Sequence, residues 1–315
     1  MSDIPAGTHP RLDALVARAQ ARAAQAPPSL ALVYPCDALA MDAAQRIHAS
    51  GLARVLLLGP PELIAQAATL AQVDLAGFEV VDTGPVPADA ARRACALARS
   101  AAVQVLMKGS LHTDELMGAV VNKDAGLRGN TRISHAFVFD LPRYPKLLAL
   151  ADCVVNIAPD LKTKKDILGN AVALLQTLGI AQPKVGIVTA VETVNPAIAA
   201  TLDARDLVAL AHAGAWPGAI VEGPLGFDNA ISAEAARIKK IDSKVAGDAD
   251  LLVVPDLNAG NMLYKSFNYI GGGDCAGLVL GASVPIVLTS RADSLQSRLA
   301  SVALAVLCAR PAAPV

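Results

Sequence analysis

Leu30-Ala-Leu-Val-Tyr34, then Asp37-Ala-Leu-Ala-Met-Asp-Ala-Ala-Gln-Arg-Ile-His-Ala-Ser50, then Arg54-Val-Leu-Leu-Leu58, is the stretch that decides the fold. The two outer runs are short and, beyond Arg54, apolar, the pattern of strands buried on both faces. The middle run has helical length and stops at Gly51, where a glycine ends a helix easily. Strand, helix and strand at this spacing predict parallel pairing. Working outward, the unit repeats. Pro60 and Pro61 open a further helix, residues 78–81 and 103–107 read as strands, and residues 88–99 read as the helix between them. Upstream, Pro10 starts an amphipathic helix with Leu12, Leu15, Val16 and Ala19 on one face, and Pro27 and Pro28 end it.

Residues 124–132, Asp-Ala-Gly-Leu-Arg-Gly-Asn-Thr-Arg, are polar and read as a loop. Beyond them, strands are expected at 135–139, 153–157, 185–188, 219–221, 251–254, 278–280 and 286–288. Helices are expected at 161–178 and 295–307. The fold class is therefore α/β with mostly parallel sheets.

The chain's 315 residues allow two domains with separate cores. It is 54% hydrophobic but only 3% aromatic, which suits Ala, Val and Leu helices packed on buried strands. Mean hydropathy is +0.45. Even so, the apolar run at 278–288 is broken by Gly281, Ser283 and Pro285, whereas a spanning helix needs roughly 20 uninterrupted apolar residues. Residues 1–10 carry an acid and no apolar core, so no secretory signal is expected. A net charge of -1 offers no field for nucleic acid or an anionic membrane. Five cysteines without zinc or redox spacing read as buried thiols of a cytoplasmic protein. The five histidines are scattered and no metal site is expected. No phosphate-binding nucleotide loop or dinucleotide fingerprint follows an early strand.

Ligands of open parallel sheets bind at the carboxyl ends of strands. Four such places are unusually polar. Lys108-Gly-Ser110-Leu-His-Thr113 offers a cation and hydroxyls entering a helix, a possible anion cradle or an ordinary helix start. Asp256-Leu-Asn258-Ala-Gly-Asn261, followed by Lys265, offers donors to a polar ligand or an Asx turn. Asn261 and Lys265 are four apart and share a helix face. Gly271-Gly-Gly-Asp274 precedes a strand and is weak alone. Thr289-Ser290-Arg291-Ala-Asp293-Ser294 combines hydroxyls with a planar guanidinium, as a phosphate site would, though it also reads as a capped helix start.

Three longer runs narrow the choice. Residues 238–265, with Asp242, Lys244, Gly247, Pro255, Asp256, Asn258, Gly260, Asn261 and Lys265, resemble the phosphate acetyl/butyryltransferase family. So do Gly277, Gly281, Pro285, Ser290 and Arg291, and upstream Glu222-Gly-Pro-Leu-Gly-Phe-Asp228. The length and the Ser290-Arg-Ala-Asp-Ser294 form look closer to the butyryl-type branch.

The resemblance implies two α/β domains like those of the isocitrate and isopropylmalate dehydrogenases, with an interdomain cleft. The boundaries would place residues 1–134 plus 285–315 in one domain and 135–284 in the other. It implies a homodimer that needs no cofactor beyond its substrate, coenzyme A. The implied reaction exchanges an acyl group between acyl phosphate and coenzyme A by direct thiolate attack. Ser290 would stabilise the oxyanion or phosphate, and Arg291 would bind phosphate. Lys108, Ser110, Thr113 and Arg132 are added from the sequence as anion contacts, and Asn258, Asn261 and Lys265 as cleft residues.

Acetyl-type members carry a candidate catalytic Asp seven residues after the Ser. Here that position is Ser297, leaving Asp293 or Asp256 as substitutes. Two other readings stay open: a non-catalytic acyl-coenzyme A or phosphate sensor, and a metal- and nicotinamide-dependent dehydrogenase of the same fold.

Overall fold

The computed structural model describes residues 8–290 and 293–310. The chain runs α1 (Pro10–Ala23), β1 (Ser29–Val33), α2 (Ala38–Ala49), β2 (Arg54–Leu58), α3 (Pro61–Ala71), β3 (Glu79–Val81), α4 (Pro87–Arg99), β4 (Val105–Lys108) and α5 (Thr113–Val120). It continues through β5 (Ser134–Asp140), β6 (Leu148–Ala151), α6 (Leu161–Thr177), β7 (Lys184–Val188), α7 (Ala199–His212), β8 (Ile220–Leu225), α8 (Phe227–Ile231), α9 (Ala233–Ile238), β9 (Leu251–Val253) and α10 (Leu257–Tyr269). It closes with β10 (Asp274–Leu280), β11 (Ile286–Val287) and α11 (Leu295–Cys308). No helix among the described residues is long and apolar enough to cross a membrane.

Internal contacts divide the chain into two units, one of residues 12–131 and 276 onward, the other of residues 132–275 with the segment up to Arg11. The divisions thus fall at 131/132 and 275/276, three and nine residues before the expected 134/135 and 284/285. Residues 8–11 join the second unit because Asp140, at the end of β5, holds them. It accepts from Arg11 N at 2.8 Å and closes an ion pair with the Arg11 guanidinium.

In the first unit the strand order is β3-β2-β1-β4-β11-β10. All pairs are parallel except β10–β11. Every residue of β1 is buried, as its unbroken apolar sequence requires. Register pairs Val33 with Leu58 and with Lys108, so the carboxyl ends of β1, β2 and β4 lie along one edge. Asp37 caps α2 by accepting from Ala40 N at 2.8 Å. Helix α11 is apolar almost all round and ten of its residues are buried.

In the second unit the order is β5-β6-β9-β7-β8, parallel except for β5–β6. Its core gathers Phe137, Phe139, Leu150, Leu252 and Phe267, and Tyr264 of α10 stacks on Phe137 at 4.2 Å. One expected strand is wrong. Residues 153–157 form a turn, and the strand is β6, residues 148–151. The cause is Asp152, whose Oδ1 accepts from Val154 N at 2.8 Å and Val155 N at 3.0 Å. A short acidic side chain that captures the next amides takes them from a ladder. Val154 and Ile157, apolar in sequence, are accordingly exposed.

Candidate active site

The first unit collects Lys108, Ser110, Thr113, Ser290 and Asp293 near the carboxyl ends of β4 and β11. Gly109 is required there. A Cβ on it would stand 2.5 Å from the Val33 carbonyl oxygen and 2.7 Å from that of Tyr34, so the loop after β4 lies directly on the end of β1. Ser110 serves this crossing. Its hydroxyl donates to the Tyr34 carbonyl at 2.7 Å and accepts from Cys36 N at 3.1 Å. The Lys108 ammonium donates to the carbonyls of Gly109 at 3.1 Å and Leu111 at 3.2 Å, which curls it over the strand end. Thr113 is the exposed first residue of α5, preceded by His112, whose N–H donates to Glu115 at 2.8 Å.

A small depression of ≈ 20 Å³, room for about one water, is lined by Asp37, Lys108, Gly109, Thr289, Ser290 and Arg298 among others. Asp37 sets its electrostatics. Its carboxylate occupies the amino terminus of α2, so positive potential for an anion comes from Lys108 and Arg298 rather than from the helix. Ser290 N donates to Asp293 Oδ2 at 2.6 Å, so the Asp293 carboxylate shapes this loop. Arg291 lies outside the described residues. Ser297, at the position of the acidic residue in acetyl-type members, is buried in the first turn of α11.

Arg298 was not apparent from sequence, where it reads as one more helix arginine. It is only 7% exposed. Its guanidinium donates to the carbonyls of Ser290 at 2.8 Å and Asp293 at 3.3 Å, bracing both ends of the loop that contains Arg291. Cys36 lies beside Ser110, but burial, helped by Asp37, pushes its thiol up to about 11. At neutral pH it is protonated and a poor nucleophile.

The second unit holds Arg132, Asp256, Asn258, Asn261 and Lys265. Asp256 caps α10, accepting from Ala259 N at 3.0 Å. Asn258 and Lys265 are exposed, and Asn261 donates to the Cys153 carbonyl at 3.3 Å. Gly260 lets α10 sit close on the turn after β6, since a Cβ there would stand 2.6 Å from the Asp152 carbonyl oxygen. The exposed Arg132 precedes β5, and its Nε donates to Asn156 Oδ1 at 3.3 Å. Asn156 and Asp152 form a polar cluster that the strand reading of residues 153–157 hid. The signal was an acid followed four residues later by an amide, Asp152-Cys-Val-Val-Asn156. Among the described residues no group of three or more His, Cys, Asp or Glu is placed to hold a metal ion.

A sequence model described as phosphate acetyl/butaryl transferase matches residues 84–306. A phosphate acetyltransferase of Rhizobium meliloti is 48% identical over 95% of this chain and 93% of its own length. A phosphate butyryltransferase of Clostridium acetobutylicum is 36% identical over 89% of this chain and 93% of its own. Length therefore does not separate the two branches, and the relative of higher identity here carries the acetyl name. Among solved structures, a branched-chain phosphotransacylase from Enterococcus faecalis superposes with a TM-score of 0.78 at 28% identity, over 89% of this chain and 98% of that one. Neither the sensor nor the dehydrogenase reading is favoured by these relatives. The chain belongs to the phosphate acetyl/butyryltransferase family.

Proposed function

We propose that this protein is an acyltransferase that moves an acyl group reversibly between acyl phosphate and coenzyme A. The observation that carries the reading is 48% identity to a phosphate acetyltransferase across 95% of the chain. The chemistry makes plain demands. The thiol of coenzyme A loses its proton and its sulfur attacks the acyl carbonyl carbon. The bond from that carbon to the bridging phosphate oxygen then breaks, and phosphate leaves with the electron pair. A thiol of pKa ~8.5 is only a few per cent ionised at pH 7, so cations near the sulfur or a base must help. The developing oxyanion needs donors, and the leaving phosphate needs positive charge.

Lys108, Ser290 and Arg291 are assigned to the phosphate side. Arg132, Asn258, Asn261 and Lys265 are assigned to the polar groups of the substrates, with Arg132 as an anion contact. Thr113 is assigned to the phosphate side as well, Ser110 supports the loop after β4, and Asp293 shapes the loop at Ser290. The cap made by Asp256 supports a structural assignment for that residue in preference to a basic one. The finer architecture of the isocitrate and isopropylmalate dehydrogenases belongs to the same proposal. So do a cytoplasmic homodimer and coenzyme A as substrate without a resident cofactor.

The test is thiol-dependent turnover of acetyl phosphate and butyryl phosphate by wild type and Arg291→Ala. Turnover that falls at least ~100-fold in the variant supports the assignment. Folded protein that turns over neither substrate would end the acyltransferase reading. The faster substrate identifies the acyl preference.

A further inference from the structure

We propose that Asn156, braced by the buried Asp152, is a positioning residue that aims the guanidinium of Arg132 at a phosphate group of a substrate. This rests on the reading of Arg132 as an anion contact. An exposed arginine in a loop ordinarily keeps its rotamer freedom. Arg132 does not have that freedom in its backbone or in the inner part of its side chain. Its N–H donates to Asp166 Oδ2 at 2.9 Å, and its carbonyl accepts from Asn170 Nδ2 at 2.9 Å. Asp166 and Asn170 are four apart on α6, so one helix face holds both backbone groups.

The side chain is then held at Nε by Asn156 Oδ1, at 3.3 Å. Asn156 cannot turn. It is buried, and its amide nitrogen donates to the Ile133 carbonyl at 3.0 Å and to Asp152 Oδ2 at 2.7 Å. With the hydrogens used there, the amide oxygen must face Arg132. Asp152 is equally fixed. Its carboxylate is 3% exposed and also accepts from the N–H groups of His135, Val154 and Val155. A buried carboxylate is tolerated when amides satisfy it, and here that set of bonds stiffens the support.

With Nε engaged, the Nη edge of the guanidinium remains for a ligand, and that edge is the planar fork that fits phosphate oxygens. No ion pair ties Arg132 to a carboxylate among the described residues. Asp166 is spent on its backbone. Asp160 is close enough to be influenced by its charge, but its side chain caps α6 through Thr163 N at 2.8 Å. A satisfied, buried polar cluster beneath a surface arginine fixes one orientation of its guanidinium, which is what a positioned binding group requires.

The phosphate could belong to acyl phosphate or to coenzyme A. The experiment measures kcat and both KM values, with the thermal midpoint, for wild type, Arg132→Ala, Asn156→Ala and the double variant. Arg132→Ala and Asn156→Ala should raise KM for the same substrate by about tenfold. The double variant should be no worse than Arg132→Ala, because Asn156 acts only through Arg132. The affected substrate names the phosphate. Multiplying effects in the double variant, or an unchanged KM in Asn156→Ala, would overturn the proposal. If Arg132→Ala changes neither KM, both the anion-contact reading and the positioning fail, while turnover itself stands. Should Asn156→Ala not fold, Asp166→Ala releases the N–H of Arg132, leaves its carbonyl on Asn170, and must raise the same KM. An unchanged KM there overturns the proposal equally.

Discussion

Arg298 brings a charge into the interior to hold two carbonyl oxygens, an arrangement that apolar packing alone would not select. Hydrogen bonds from charged donors contribute about 1.5–3 kcal/mol each. Arg298→Met keeps most of the volume and removes both donors to Ser290 and Asp293. Stability should fall by about 2–4 kcal/mol in denaturant unfolding. Turnover should fall by at least about tenfold, because the loop that carries Arg291 loses its brace. Arg298→Lys should recover only part, since one ammonium cannot span both carbonyls as a planar fork does. Asp256 allows a cleaner separation. Asn caps a helix nearly as well as Asp, so Asp256→Asn should keep the fold and near-normal turnover. A fall of 10²–10⁴-fold in kcat would instead make Asp256 the general base. At this scale the sequence revealed residue types but not their engagements. Lys108, Ser290 and Asn261 sit at strand ends or in the helix that follows, as the alternation predicts. That Ser110 is spent on Tyr34 and Cys36 could not be read, because its partners lie some 75 residues away in sequence.

Element by element, the first unit was legible because β1, β2 and β4 are built on runs of three or four consecutive apolar residues bounded by strong stops. Pro10 and Pro61 open helices where proline is tolerated, and Gly51 follows one. The failure at 153–157 has the opposite origin. Cys153-Val-Val-Asn-Ile157 has strand-like side chains, but Asp152 diverts the backbone amides and Leu148-Ala-Leu-Ala151 takes the ladder instead. Tertiary pairing with β9 decided this, and no local window contains it. Helix α11 tests the same logic at a helix start. Ser294 accepts from Ser297 N at 2.9 Å and caps the helix immediately after the loop at Ser290. Ser294→Ala should cost about 1 kcal/mol in unfolding experiments, and Ser294→Asp should restore it. An equal loss in both would show that the cap is not what holds the start of α11.

Over the whole molecule, a net charge of -1 leaves little general self-repulsion near neutrality, so the acid response should be concentrated in particular buried groups. His135 is the strongest of these. It is 1% exposed, its ring packs on Phe137 at 4.4 Å, and neither ring nitrogen has a partner among the described residues. Burial lowers its pKa from the ordinary 6.5 to about 4, and nearby Asp152 offsets only part of that. The direction of the linkage follows. Between about pH 6.5 and 4 the unfolded chain binds a proton that the folded chain refuses, so stability falls as pH drops through this window and is level above it. Lost in full, this linkage is worth roughly 3 kcal/mol. His135→Leu removes the titration while keeping an apolar side chain against Phe137. Unfolding free energies in urea at pH 7.5 and pH 4.5 should therefore differ less in the variant than in wild type, by roughly 2–3 kcal/mol. Parallel losses in the two proteins would mean that the folded state protonates His135 as readily as the unfolded chain does. The imidazole would then have to find a charged or hydrogen-bonded partner on acidification, and its place beside Asp152 would be a paired site rather than an apolar one.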